Sequence, residues 1–127
     1  MTIGIGTDLF DVSRMKTKIE RQPDLVEAIF NRTEIDYCEQ FKNKVERYAG
    51  RYAAKEALMK ALGTGWRDGI TFKDVTISND KLGKPDIQLT GKARELAEKM
   101  GVTEILVSIS HTSELANAIV ILNNNNL

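Results

Sequence analysis

Residues 51–65 read RYAAKEALMKALGTG. Alanine at 53, 54, 57 and 61 among side chains not branched at Cβ is strong helix-forming material. The pattern predicts a long helix from about Val45 to Leu62, stopped by Gly63 as a C-terminal cap. On its wheel Arg47, Arg51 and Lys55 share one stripe, and Tyr52, Glu56 and Lys60 share the next. Glu56 is thus a single acid among four cations, close to a glycine-rich bend. Two readings stand. Glu56 and Lys60 form an i,i+4 ion pair on a solvated face, stabilising the helix by a few tenths of a kcal/mol. Alternatively, the acid and its cations serve a charged ligand.

Working outward from this helix, Ile3 and Ile5 alternate with Gly4 and Gly6 in a first strand ending near Asp8. Ser13 is placed to cap a helix running to about Gln22, and Pro23 starts a short helical stretch through Phe30. Thr33 with Asp36 resembles a capping box that opens a further helix. Beyond the long helix, Ile70, Phe72, Val75 and Ile77 predict a strand, bulged where the spacing slips. Turn chemistry at Asn79-Asp80 and Gly83-Lys84-Pro85 precedes a short strand from Asp86 to Leu89. Thr90 opens a helix to Met100, ended by Gly101, and two strands follow, Glu104 to His111 and Ala116 to Leu122. No repeat or linker interrupts this order. The expected architecture is one mixed α+β domain over residues 1–122, with a polar tail at 123–127 that frays.

Composition narrows the function classes. At 127 residues the chain fits one domain able to bury its own core. Eighteen basic residues balance eighteen acidic ones, which argues against a general nucleic-acid or membrane binder. The Arg47, Arg51 and Lys55 stripe also lacks the interleaved aromatics of a nucleic-acid reader. Cys38 is the one cysteine, so no intrachain disulfide forms; a reducing compartment and an inert, buried thiol are expected. The start, MTIGIGTDLF, has no basic segment and meets Asp8 too early for a signal peptide. No apolar run approaches a membrane span, and a cytoplasmic protein is expected.

Several residues could carry chemistry. Exposed amides at Gly63-Thr64-Gly65 could approach a phosphate closely, with Lys and Arg nearby to neutralise it. The bend is not a P-loop, whose helix follows the glycines, and a plain helix cap is the competing reading. Gly4, Gly6 and Asp8 lie on one face of the first strand, open to a neighbouring backbone or a ligand. Asp8 and Glu56 would supply two hard oxygen ligands, too few for calcium but suited to magnesium, which keeps waters and takes phosphate oxygens. The alternative for Asp8 is capping the next helix or turn. His111, the only histidine, has no second His or Cys to build a metal site with. It reads as a hydrogen-bonded residue at a strand end, or one facing a ligand.

Taken together and in order, Gly-Ile-Gly-Thr-Asp at 4–8, Arg14, AGRYAAKEA at 49–57, Lys60, Gly63-Thr64-Gly65, Gly83-Lys84-Pro85 and Ser108 to Thr112 resemble holo-acyl-carrier-protein synthase. This family is the small, single-domain type of phosphopantetheinyl transferase. The resemblance covers nearly the whole chain. It implies transfer of the phosphopantetheine arm of coenzyme A to a serine of apo acyl carrier protein, releasing adenosine 3′,5′-bisphosphate, in support of fatty acid biosynthesis. It implies that Asp8 and Glu56 hold magnesium against the pyrophosphate of coenzyme A. Lys60 adds positive charge there, and Glu56 acts as base toward the serine. Arg51, Lys60, Gly63, Thr64, Gly65, Gly83, Lys84, Pro85 and His111 match positions around the coenzyme A cleft. Arg14, Lys18 and Arg21 match a helix face that meets the acidic helix of the carrier protein. The implied fold is an antiparallel sheet packed on a long helix, assembled as a homotrimer with sites at subunit interfaces. Tyr52 departs from the usual Phe or Trp, Lys18 stands where an apolar residue occurs, and the Asn-rich tail lies outside the pattern. A non-catalytic carrier-protein or nucleotide-binding module of the same fold is the rival reading.

Overall fold

The computed structural model describes residues 1–67 and 69–126. In chain order they form β1 (Thr2–Asp11), α1 (Val12–Arg21), α2 (Leu25–Ile29), α3 (Arg32–Glu39) and α4 (Lys44–Leu62). A 3-10 turn (Phe72–Asp74), β2 (Val75–Asn79), β3 (Pro85–Leu89), α5 (Gly91–Met100), β4 (Glu104–His111) and β5 (Leu115–Asn123) follow. The result is an α+β domain with two antiparallel sheets, one ordered β1-β5-β4 and one a β2-β3 hairpin.

Small residues set how α4 meets the larger sheet. A Cβ on Gly6 would collide with the carbonyl oxygen of Ala57, and one on Gly4 would lie 2.5 Å from that of Ala61. The two glycines therefore serve close approach of a neighbouring backbone. Ala116, Ala118, Val120 and Leu122 continue this buried face along β5. The helix is closed on nearly every side: Ala49, Ala53, Ala54, Ala57, Leu58 and Met59 are all buried, and so are Arg51 and Lys55. The Arg47, Arg51 and Lys55 stripe is not a solvated face. Its two later cations run into the core, where each finds polar partners.

The opposite face of the sheet differs. Ile5 is 67 % exposed and Leu9 63 %, with Leu106 and Ile119 also open to solvent. Cross-strand pairing places Ile5 beside Ile121, and Ile121 beside Leu106, so these side chains form a continuous apolar surface.

Four local expectations need correction. α3 is opened by Asn31 and Glu34, with the Asn31 amide donating to Glu34 Oε1 at 2.9 Å; Asp36 instead accepts from Arg32 at 3.0 Å. The slipped spacing after Ile70 is the 3-10 turn, with the Thr71 amide donating to Asp74 Oδ2 at 3.2 Å, rather than a bulged strand. β1 continues past Asp8 to Asp11, so Asp8 caps no helix, and α1 starts at Val12, ahead of Ser13. The tail is tied down. Asn123 ends β5, the Asn124 amide donates to Met1 O at 2.8 Å, and the Asn125 amide donates to Thr103 Oγ1 at 2.8 Å. Leu127, the end of that tail, lies outside the described residues. No helix among the described residues is long and apolar enough to cross a membrane.

Candidate active site

The last turns of α4 carry the first charged cluster. Lys60 Nζ donates to Asp8 Oδ1 at 3.1 Å and to Thr7 O at 3.0 Å. The expected Glu56–Lys60 ion pair does not form; the Lys60 side chain crosses to β1 instead. Glu56, half-buried, accepts from the Trp66 indole N–H at 3.1 Å. The Tyr52 hydroxyl lies within electrostatic reach of both acids. Burial pushes its pKa up to about 12, with the charge and hydrogen bonding of Glu56 and then the charge of Asp8 adding to the rise. Tyr52 thus brings a polar group to the two carboxylates.

Gly63 closes the helix at φ 83°, its amide reaching Met59 O and Lys60 O at 3.0 and 3.1 Å. The cap reading of this glycine is therefore right. The bend also lines an open cavity of about 450 Å³ with Glu56, Lys60, Thr64, Gly65 and Trp66. Gly65 takes φ 67°, which glycine adopts without the Cβ penalty. The bend thus sets left-handed glycine backbone beside an ammonium and a carboxylate.

A second cluster lies on another side of α4. From Arg51 to Glu56 the helix turns through roughly 140°, at about 100° per residue. Arg51 Nη2 donates to Asn79 Oδ1 at 2.5 Å and to Ile77 O at 3.3 Å, and its guanidinium lies 4.1 Å above the Tyr37 ring. Burial lowers the Arg51 pKa, yet a guanidinium keeps its proton in such settings. Its Nε is buried with no partner, as is that of Arg47. Both arginines line a small cavity of about 80 Å³ with Gly83, Pro85, Asn79 and His111. His111 Nδ1 lies 3.0 Å from Glu46 Oε1, which leaves Nε2 as the ring nitrogen available to a ligand. Asn79 also donates to Gly83 O at 2.9 Å, tying the β2–β3 turn to this cavity. Lys84 is exposed and lines a larger neighbouring cavity of about 560 Å³ with Asn79, Pro85 and Leu106.

The predicted residues therefore divide. Asp8, Glu56, Lys60, Gly63, Thr64 and Gly65 come together in one place. Arg51, Gly83, Pro85 and His111 come together in another. Arg14 and Arg21 are exposed on α1 and Lys18 is partly so. Arg14 lies 5.1 Å over the Phe10 ring, and Phe10 packs on Tyr52 at 4.7 Å, which links the base of α1 to the two acids. The spacing of the sequence did not single out Trp66, Glu46 or Asn79. Only Trp66 carried a signal, as the single tryptophan, directly after the glycine bend.

A family model described as the 4'-phosphopantetheinyl transferase superfamily matches residues 4–119. A holo-[acyl-carrier-protein] synthase of Solibacter usitatus is 49 % identical over 125 residues, covering 98 % of this chain and all of the relative. The crystal structure of a holo-acyl-carrier-protein synthase from Neisseria meningitidis superposes with a TM-score of 0.87 at 31 % identity, covering 97 % of this chain and 99 % of that one. That of the Helicobacter pylori synthase, solved in complex with coenzyme A, superposes with a TM-score of 0.83 at 29 % identity, covering 94 % and 99 %. The chain belongs to the holo-acyl-carrier-protein synthase family of this superfamily and is an enzyme, a phosphopantetheinyl transferase.

Proposed function

We propose that this enzyme moves the phosphopantetheine arm of coenzyme A onto a serine of apo acyl carrier protein, in support of fatty acid biosynthesis. The observation that carries the reading is the pair of separate charged clusters, one with Lys60 beside two carboxylates and one with Arg51 and His111. Coenzyme A presents two separate anionic groups, a pyrophosphate and a 3′-phosphate. Lys60 and the amides of Gly63 to Gly65 suit the pyrophosphate, beside the carboxylates. Arg51, whose buried Nε lacks a partner, and His111 suit the 3′-phosphate, with Gly83 to Pro85 against the adenosine.

Asp8 and Glu56 fit a magnesium ion. Among the described residues no cluster of three or more His, Cys, Asp or Glu is assembled, as calcium or structural zinc would need. Two carboxylates next to a phosphate site match magnesium, whose remaining ligands are waters and phosphate oxygens. When bound, the ion neutralises charge on the transferring and leaving phosphates. Lys60 exchanges Asp8 for a phosphate oxygen and holds the pyrophosphate for in-line displacement. The serine oxygen forms a bond to the phosphorus of the pantetheine phosphate. The bond from that phosphorus to the bridging oxygen breaks, and the oxygen leaves on adenosine 3′,5′-bisphosphate. Glu56 accepts the serine proton. Arg14, Lys18 and Arg21 attract an acidic helix of the carrier protein.

The same reading includes a homotrimer. The exposed apolar surface around Ile5, Leu9, Leu106 and Ile119 needs a cover, and closed cyclic symmetry supplies one. The two clusters, on different sides of α4, would then each form half of a cleft shared with a neighbouring copy. Incubation with coenzyme A, apo carrier protein and magnesium tests the function: the carrier protein gains one phosphopantetheine, and a chelator abolishes the gain. Light scattering tests the assembly, with three chain masses of 14.2 kDa expected. A fully active monomer would show that one chain holds a complete cleft.

A further inference from the structure

The single tryptophan does more than fill space after the glycine bend. Its indole Nε1–H donates to Glu56 Oε1 at 3.1 Å. The ring is held from behind, with its centroid 4.0 Å from that of Phe72. Phe72 in turn stacks on Tyr52 at 5.7 Å, and Tyr52 packs on Phe10 at 4.7 Å. The indole is thus placed by an aromatic row rooted in β1 and α4. The carboxylate of Glu56 ends a side chain whose last torsion is intrinsically broad. A donor fixed at one oxygen removes that freedom.

We infer that Trp66 is a positioning residue, whose indole N–H orients the Glu56 carboxylate toward the cation and the substrate hydroxyl. This rests on the reading of Asp8 and Glu56 as the acids of the transfer site. Partners that hydrogen-bond a ligating carboxylate set its orientation, and their loss weakens metal binding or activity about 10- to 100-fold. A tryptophan present only for packing would be replaced by phenylalanine with little change. The phenylalanine ring can keep the contact with Phe72 but has no N–H. Trp66→Phe therefore separates the two roles.

The experiment uses the full chain with coenzyme A and no carrier protein, so that no turnover occurs. Manganese is titrated and the free ion followed by electron paramagnetic resonance. Trp66→Phe is expected to bind the ion about tenfold more weakly than the parent. In turnover the variant should lose kcat while its KM for the carrier protein stays at the parental value. A second measurement does not need that variant to fold. In the parent, emission of the lone tryptophan should change when magnesium is added to the coenzyme A complex, and Glu56→Gln should abolish the response. A folded Trp66→Phe enzyme with parental manganese affinity and parental kcat overturns the inference and leaves the proposed function standing. Parental emission that ignores magnesium also overturns it. A parent that transfers phosphopantetheine without any divalent ion removes both the inference and the metal reading beneath it.

Discussion

Lys55 and Lys60 stand five residues apart on α4, and each meets a carboxylate at nearly the same distance, 2.8 Å to Glu34 and 3.1 Å to Asp8. Their surroundings separate them. Both side chains of the first pair are 0 % exposed, whereas Lys60 is 56 % exposed and Asp8 15 %. Lys55 also donates to the carbonyls of Ile29, Phe72 and Val75 at 2.9, 3.0 and 2.7 Å. Glu34 in turn accepts from the Ile77 amide at 3.0 Å and the Asn31 amide at 2.9 Å. Burial lowers the Lys55 pKa, with the Glu34 charge opposing that fall. One ammonium and one carboxylate thus tie together the end of α2, the start of α3, the 3-10 turn and β2.

The same two functional groups therefore do different work at the two places. In the dry pair the ammonium has four oxygen acceptors and both carboxylate oxygens are hydrogen-bonded, and exchange with a ligand would leave a buried charge alone. In the wet pair water can replace either partner at little cost, so a phosphate can too. The pair holding the fold cannot turn over ligands, and the pair available to ligands holds little of the fold.

Removing the buried cation should have the largest effect. Lys55→Met strands Glu34 without its counter-charge, and a loss of about 3–5 kcal/mol in urea unfolding is expected. Adding Glu34→Met should recover only part of it, because the Asn31 and Ile77 amides then lack their acceptor. Full recovery in the double variant would show that the pair acts alone and ties no backbone.

Asp8→Asn and Glu56→Gln come next. Each keeps its shape while losing a charge at the wet site. Turnover should fall at least about 100-fold, as expected when a charge that holds the metal, or the base itself, is lost, with the unfolding midpoint near the parent's. Both variants turning over near the parental rate at moderate magnesium would remove the carboxylates from the chemistry.

A smaller effect is expected on α1, whose cations are not part of either pair. Reversing Arg14 and Arg21 to Glu should raise KM for the carrier protein about tenfold while coenzyme A affinity stays unchanged. The fall of kcat/KM with added salt should also become shallower, since screening acts on exposed charge. Loss of coenzyme A binding with an unchanged carrier-protein KM would assign this helix to the nucleotide instead.

The smallest effect on stability is expected at the exposed lysine. Lys60→Ala should change stability by no more than about 1 kcal/mol, the ordinary range for an exposed pair. A loss matching that of Lys55→Met would place Lys60 among the groups holding β1 to α4.

Much of the fold was legible because it depends on short-range rules. The long helix begins at Lys44, beside the expected Val45, and ends at Leu62 with Gly63 in the left-handed conformation. α5 and its stop at Gly101, and β4 from Glu104 to His111, also fall where capping and alternation put them. Where a local signal failed, the reason lay elsewhere in the chain. Asn31 and Glu34 open α3 in place of Thr33 and Asp36, because Glu34 also reaches Lys55 and the Ile77 amide. Residues 123–126 are tied down because Met1 and Thr103, distant in sequence, lie beside them.

For the site, local sequence already shows which chemical groups are available and on which elements they ride. Glu56 and Lys60 belong to a helix end, Asp8 to a strand with two glycines before it, and the amides of residues 63–65 to a left-handed stop. Which of these groups meet depends on packing between elements. Lys60 passes over Glu56, four residues away, and takes Asp8, 52 residues away. Glu56 is left to Trp66. The physical reason lies in Gly4 and Gly6: their missing side chains let β1 approach α4 closely enough for a strand carboxylate to meet a helix ammonium. Helical periodicity describes neighbours along one element, and it carries no information about a partner brought in by packing. Burial works the same way, since a wheel cannot show that one lysine of α4 will be dry and another wet.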